Sequence, residues 1–143
     1  MTGDLEFFDT NVLVAATVQE HIHHDACNRR IARIARTGGA CAMHSLAEAY
    51  TTLTRATRYA MPPSDALRII EYASKTFKIV SLTSTEYIRT LESAALMGLA
   101  GPIVYDALLI ACARKIGAKA IYTNNIKHFR QVGPDVASRI HEP

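Results

Sequence analysis

Three carboxylates stand out along this chain because each is set in apolar sequence. Asp9 follows Leu5-Glu6-Phe7-Phe8, Glu48 comes shortly after Ala40-Cys41-Ala42-Met43, and Asp106 precedes Ala107-Leu108-Leu109-Ile110-Ala111. A lone ionised carboxylate is costly to bury without a cation or hydrogen-bond donors, so Asp106 in particular must be paired. A fourth polar cluster, Thr123-Asn124-Asn125, follows Ala120-Ile121-Tyr122 and can deliver further oxygen ligands to the same rim. Such a set forms a hard, anionic pocket suited to Mg²⁺ or Mn²⁺ and not to a soft, thiolate-seeking metal. Without a cation the carboxylates raise one another's pKa. A divalent ion removes that conflict, orients a phosphodiester and lowers the pKa of its bound water. Metal-dependent phosphodiester hydrolysis is the chemistry this pocket suits best.

Each position also has a plain structural role open to it. Ser45-x-x-Glu48 is a capping-box pattern, and Thr83-x-x-Glu86 repeats it. Asp9 can cap a helix that starts near Asn11. Asp106 sits where a helix N-terminus favours negative charge, and Asn125 suits a turn. Arg29, Arg33 and Arg36, with Arg30 beside them, share a helical face that is either solvated or a track for phosphates. His21, His23 and His24 lack matching ligands elsewhere and are not expected to bind a transition metal. His128, before Phe129, reads as structural.

The elements that must position these groups follow from the hydrophobic pattern. Residues 5–8 form a first strand ending in a turn at Asp9. A helix over 26–36 places Cys27, Ile31 and Ile34 opposite the arginines, and Gly38-Gly39 stops it. Residues 40–43 are a second strand and 45–59 a helix with Leu46, Ala49, Tyr50 and Leu53 on one side. After the Pro62-Pro63 break, Ser64 caps a helix carrying Leu67, Ile70 and Ala73, and a strand over 78–82 follows. Thr83 opens a helix whose buried stripe is Tyr87, Leu91 and Ala94. Beyond the 98–102 loop, 103–116 is the most apolar helix, Gly117 stops it, 119–122 is a strand, and 136–140 is a last one. Alternating strands and helices imply parallel βαβ units: an α/β sandwich with a sheet of four or five short strands. Ligands bind at the carboxyl ends of such strands, where all four polar segments fall.

A chain of 143 residues with 49% hydrophobic and 20% charged residues can bury a core and reads as a single domain over 1–143. Cys27, Cys41 and Cys112 are odd in number and widely spaced, which fits core thiols better than disulfides or a zinc ribbon. No apolar run approaches a membrane span, and Asp4, Glu6 and Asp9 interrupt any signal-peptide pattern, so a cytoplasmic protein is expected. The net charge of +3 is mild, but eleven of the sixteen cations are arginines, whose fork pairs bidentately with phosphate. No P-loop, G-x-G-x-x-G after a strand, or G-x-S-x-G occurs, which removes the commonest nucleotide-binding and serine-hydrolase readings.

Four stretches carry a family resemblance: Phe8-Asp9-Thr10-Asn11-Val12-Leu13, Ser45-Leu46-Ala47-Glu48, Asp106-Ala107-Leu108-Leu109-Ile110-Ala111, and Thr123-Asn124-Asn125-Ile126-Lys127-His128-Phe129. In this order and spacing the chain resembles the PIN-domain nucleases and, among them, the VapC-type toxins of toxin-antitoxin pairs. The resemblance implies a PIN-like three-layer α/β/α sandwich around a short parallel sheet of four to five strands. It also implies an endoribonuclease that hydrolyses RNA with Mg²⁺, Mn²⁺ substituting. Asp9, Glu48 and Asp106 would be its acidic metal-site residues. The family's fourth acidic position falls on Asn125, which withdraws one negative charge. Thr123 is similar to the family's site-holding hydroxyl, and Asn11 to a polar companion of the first aspartate. Arg29, Arg33, Arg36 and Lys127 are then candidate RNA contacts. The implied partners are a small VapB-type antitoxin, whose C-terminal segment lies over the active-site groove, and a second copy of the chain; apolar surface on helices such as that over 59–77 can supply the dimer interface.

Two rival readings come from other classes. A haloacid-dehalogenase-like phosphatase also places an aspartate after a first strand, but it needs a second aspartate two residues on, where this chain has Asn11. A PIN-like RNA-binding or scaffolding module without catalysis is opposed by three intact acidic positions.

Overall fold

The computed structural model describes residues 4–143. Five short strands, β1 (Glu6–Phe8), β2 (Gly39–Ala42), β3 (Lys78–Val80), β4 (Ala120–Tyr122) and β5 (Ile140–His141), lie in the order β3-β2-β1-β4-β5 and pair in parallel throughout. Eight α-helices are described with them: α1 (Thr10–Thr17), α2 (His24–Ala32), α3 (Ile34–Thr37), α4 (Met43–Thr54), α5 (Pro63–Thr76), α6 (Ser84–Leu96), α7 (Ile103–Lys115) and α8 (Ile126–Val132). Side-chain alternation along the strands divides the core into two layers. Phe7, Ala40, Ala42 and Ile121 pack with Leu109, Ile110 and Phe129 on one face, while Phe8, Cys41, Ala120 and Tyr122 pack with Val12, Cys27 and Phe77 on the other. This is the three-layer α/β/α sandwich expected from the resemblance. A third cluster, Val14, Val18, Ala49, Leu53 and Ala66, joins α1, α4 and α5.

The chain departs from the expected elements in several places. The helix expected over 26–36 is two: it starts at His24, breaks at Arg33, whose N–H turns back to the Arg30 carbonyl, and resumes so that Ile34 is buried. Arg36 therefore sits on a different helix from Arg29. Gly38, with φ +82°, ends α3 as expected. Strand β2 runs straight into α4 at Met43, and α4 ends at Thr54 rather than near 59. The backbone then doubles back, with the Met61 N–H on the Leu53 carbonyl, and Tyr59 and Met61 pack on the third cluster. Strand β3 is two residues shorter than expected. On α6 only Ala94 of the expected stripe is fully buried, Tyr87 being exposed. Residues 136–140 are mostly a 3₁₀ turn (Pro134–Arg139), because Gly133-Pro134 starts a tight turn, and only Ile140–His141 joins the sheet. All three cysteines are buried and unpaired. Among the described residues no helix is long and apolar enough to cross a membrane.

Candidate active site

The strand order reverses between β1 and β4: the chain moves outward from β1 through β2 to β3, then returns to the other side of β1. Such a switch point opens a crevice at the carboxyl ends of the two strands. Asp9 and Thr123 stand at those ends, joined across the switch by the Asp9 N–H on the Tyr122 carbonyl. The Thr123 hydroxyl, fully buried, donates to Asp9 Oδ2 at 2.8 Å and accepts from the Asn125 N–H at 2.9 Å. Asn11 accepts the Asn124 N–H at 3.3 Å and so ties the start of α1 to the turn after β4.

Asp9 precedes α1 directly but makes no side-chain capping bond, which removes capping as its role. The capping box at Ser45 and Glu48 is likewise absent, because α4 begins two residues earlier with Ala42 as its cap residue. Ser45 instead is buried, and the Thr10 hydroxyl lies 2.8 Å from both Ser45 Oγ and Glu48 Oε1. That hydroxyl carries one proton and a carboxylate only accepts, so Thr10 orients Glu48 and Ser45 supports Thr10. The corresponding box at Thr83 and Glu86 forms in full. Asp106 lies in the first turn of α7, and Asn125 precedes α8. The Asn125 Nδ2 is 2.8 Å from His128 Nδ1, and the same ring nitrogen is 3.8 Å from Asp106 Oδ2.

Asp9, Glu48, Asp106 and Asn125 thus line one open cleft of about 270 Å³, shared with Thr10 and Asn11. A larger groove of about 560 Å³ between α6 and α7 gathers no free carboxylates, since its Glu86 and Asp135 are paired with Lys115 and Arg114. In the acidic cleft, burial pushes the Asp9 carboxyl up to about 7. The Thr123 hydroxyl and the Thr10 backbone oppose that rise, and the charges of Asp106 and Glu48 add to it. Burial raises Asp106 to about 6, with Glu48 adding and His128 opposing.

Among the described residues no three His, Cys, Asp or Glu side chains close on one point as a finished cage. The donors line the cleft and leave it open. They are oxygens of carboxylates and hydroxyls, with the Asn125 carboxamide beside them, and their mutual repulsion calls for a cation. This donor set fits a hard divalent ion.

The arginine stripe and Lys127 are placed elsewhere. Arg29, Arg30 and Arg33 surround a shallow depression beside Pro143, where the Arg30 guanidinium lies 4.5 Å from the centre of the Tyr122 ring. Lys127 is exposed on the first turn of α8 and is not among the residues lining the acidic cleft. The cations that do line it are Arg55 and Arg58, with His21, none of which the sequence reading selected for the site. One signal was available: Glu48, Thr52 and Arg55 are spaced i, i+4, i+7, one face of a helix. His44, 3.9 Å from Glu48 and stacked on Tyr105, and His128, beside Asp106, were also not chosen for this site.

The sequence matches the family described as PIN domain over residues 7–133. The fold is similar to that of VapC20 from Mycobacterium tuberculosis, a toxin that cleaves the sarcin-ricin loop, with TM-score 0.67 and 19% identity, covering 81% of this chain and 86% of that one. It is similar also to VapBC2 from Rickettsia felis, solved bound to a DNA fragment from its promoter, with TM-score 0.67 and 20% identity, covering 96% and 98%. No curated protein sequence matches the chain.

Proposed function

This chain belongs to the PIN-domain family, and on that premise we propose that it is a Mg²⁺-dependent endoribonuclease acting as the toxin of a VapBC-type pair. The observation that carries the reading is the convergence of Asp9, Glu48 and Asp106, from three distant segments, on one cleft at the switch point. There burial, with the neighbouring carboxylates adding, raises Asp9 and Asp106, and a divalent cation would offset the cost of ionising them in that cleft. Asp9, Glu48 and Asp106 would hold the ion, with the Asn125 oxygen as a neutral donor. Mg²⁺, or Mn²⁺ in its place, supplies Lewis acidity toward a phosphodiester and a nucleophile from water near neutral pH. The chain's own part is orientation: Thr123 fixes Asp9, Thr10 fixes Glu48, and Asn11 holds the β4 turn against α1.

RNA as substrate and a small antitoxin as partner are carried over from the relatives of the same fold, one a sarcin-ricin-loop-cleaving toxin and one a VapBC protein. An acidic cleft on a chain of net charge +3 suits both ligands. Phosphate meets the surrounding cations, and a metal or a partner's cationic side chain meets the carboxylates. Exposed Leu67 and Tyr72 on α5 offer apolar surface for a homodimer, and the cytoplasm is the expected compartment.

The test is RNA cleavage by the purified chain with Mg²⁺ and with EDTA. Cleavage requires the metal, and Asp106→Asn lowers the rate at least about a hundredfold while the melting transition is retained. Undiminished cleavage in EDTA, or wild-type rate in Asp106→Asn, removes the assignment.

A further inference from the structure

The acidic cleft also holds a set of donors that a metal does not use. Arg55 and Arg58 line it together with His21, in the same space as Asp9, Glu48 and Asp106. Among the described residues neither arginine makes an ion pair, although three carboxylates share the cleft. The His21 Nδ1 accepts the His23 backbone N–H at 3.0 Å, which leaves its Nε2 as the protonated, donating nitrogen of the neutral ring. Two guanidinium forks and one N–H donor, with no acceptor among them, make a site for an anion.

The backbone fixes where the arginines stand. Arg55 ends α4, and its carbonyl accepts the N–H groups of both Arg58 and Ala60 at 3.0 Å. Ala60 adopts φ +48°, a left-handed conformation that costs an alanine about 1 kcal/mol. The turn persists because Met61 is anchored on Leu53 and Tyr59 packs on the cluster beneath. The Arg58 guanidinium sits 5.6 Å from the centre of the Tyr59 ring, which limits its freedom before anything binds. From Glu48 to Arg55 the helix advances about 10 Å, so the two side chains enter the same cleft from backbone positions two turns apart.

We propose that Arg55 and Arg58, assisted by the Nε2–H of His21, form a phosphate-binding subsite that grips the RNA backbone beside the scissile phosphate. This rests on the nuclease reading above and adds to it the residues that hold the substrate. Arg55 and Arg58 are positioning residues, and because both are exposed their replacement spares the fold.

The test uses a fluorescent 20-nucleotide single-stranded RNA of mixed sequence, its binding followed by anisotropy against salt in EDTA, together with Mg²⁺-dependent cleavage kinetics. In Arg55→Gln/Arg58→Gln the slope of log affinity against log salt becomes shallower by about 1.4, the value for two lost phosphate contacts on a single strand. KM rises about tenfold while kcat stays within about threefold, because the contacts serve binding and not the reacting centre. Arg55→Lys/Arg58→Lys restores the slope and recovers KM only in part, since the charge returns without the fork. The control is Arg29→Gln/Arg33→Gln/Arg36→Gln, which removes more charge from outside the cleft. A slope change there at least as large as in the cleft variant overturns the subsite in favour of overall charge. Cleavage by the wild type with KM unchanged in the cleft variant also overturns it, and leaves the nuclease reading standing. Failure of the wild type to cleave any RNA removes the nuclease reading itself, and the subsite with it.

Discussion

Replacing Asp9 by asparagine isolates the electrostatic cost of the site. In the unfolded chain the Asp9 carboxyl titrates near 3.8, and in the folded, metal-free protein burial and its acidic neighbours move it to about 7. Below pH 3 both states hold the proton and the carboxyl adds nothing to stability. Between pH 4 and 7 the unfolded chain has released the proton while the native chain still binds it, so stability falls as pH rises. Above pH 7 the loss is complete, and a displacement from 3.8 to about 7 corresponds to about 4 kcal/mol. Asparagine keeps the shape and can still accept the Thr123 hydroxyl that now donates to Asp9 Oδ2. In EDTA at pH 8, Asp9→Asn should therefore be the more stable protein by up to about 4 kcal/mol, or roughly 10 °C in Tm for a domain of this size. At pH 4.5, where the unfolded carboxyl has mostly ionised and the native one has not, the gap should shrink to about 1 kcal/mol. Thermal melts across that range measure the gap directly, and added Mg²⁺ should narrow it at pH 8 by stabilising only the wild type. A gap that is the same at pH 4.5 and pH 8 would mean that Asp9 ionises in the fold as it does in water, and the argument from its burial beside other carboxylates would fail.

Two further substitutions probe the remaining proposed ligands. Glu48→Gln should abolish Mg²⁺-dependent cleavage while changing stability by less than ~1 kcal/mol, because no capping bond is lost and the Gln oxygen can accept from Thr10; full activity, checked beside a urea melt, would return Glu48 to a structural role. Asn125→Asp should tighten Mn²⁺ binding about three- to tenfold by calorimetric titration, since an added anion beside Asp106 strengthens attraction for the cation, and should lower the neutral-pH Tm of the metal-free protein; equal Mn²⁺ affinity in the two proteins would place residue 125 outside the ion's reach.

The acidic positions were legible because local pattern and topology agree on them. A polar residue directly after an apolar strand lies at the carboxyl end of a parallel sheet wherever that strand falls in the order, and Asp9 and Thr123 obey this rule. Phe7 and Phe8 were legible as core, though their opposite faces emerge only from the pairing of β1 with neighbours on both sides. Glu48 was ambiguous for a physical reason. Ser45-x-x-Glu48 and Thr83-x-x-Glu86 are the same four-residue pattern, yet only the second caps a helix. What separates them is that β2 feeds α4 without a turn, which places Ser45 within the first turn of the helix and sets its hydroxyl against Thr10, thirty-five residues away in sequence.

The turn at 55–62 could not be read in advance, because its key residue gives no sign of itself. A left-handed backbone is normally announced by glycine or asparagine, whereas here alanine occupies it at position 60, held by hydrogen bonds to Arg55 and by packing from Tyr59 and Met61. A helix pattern extended past Thr54 keeps Arg55 on the face of Glu48 but carries Arg58 away along the continuing axis. Ending the helix at Thr54 brings Arg58 back to the cleft that Glu48 and Arg55 already line. The strained residue and the missed cations are thus one feature: the strain is tolerated at the point where the chain must reverse to bring guanidinium groups beside carboxylates without letting them pair. Were they to pair, the arginines would neutralise the charge that the proposed metal needs and would be lost to the proposed phosphate subsite. Holding guanidinium groups apart from carboxylates in one cleft costs stability in the free protein, and on the proposed reading a cation and a polyanion arriving together would recover that cost from both sides.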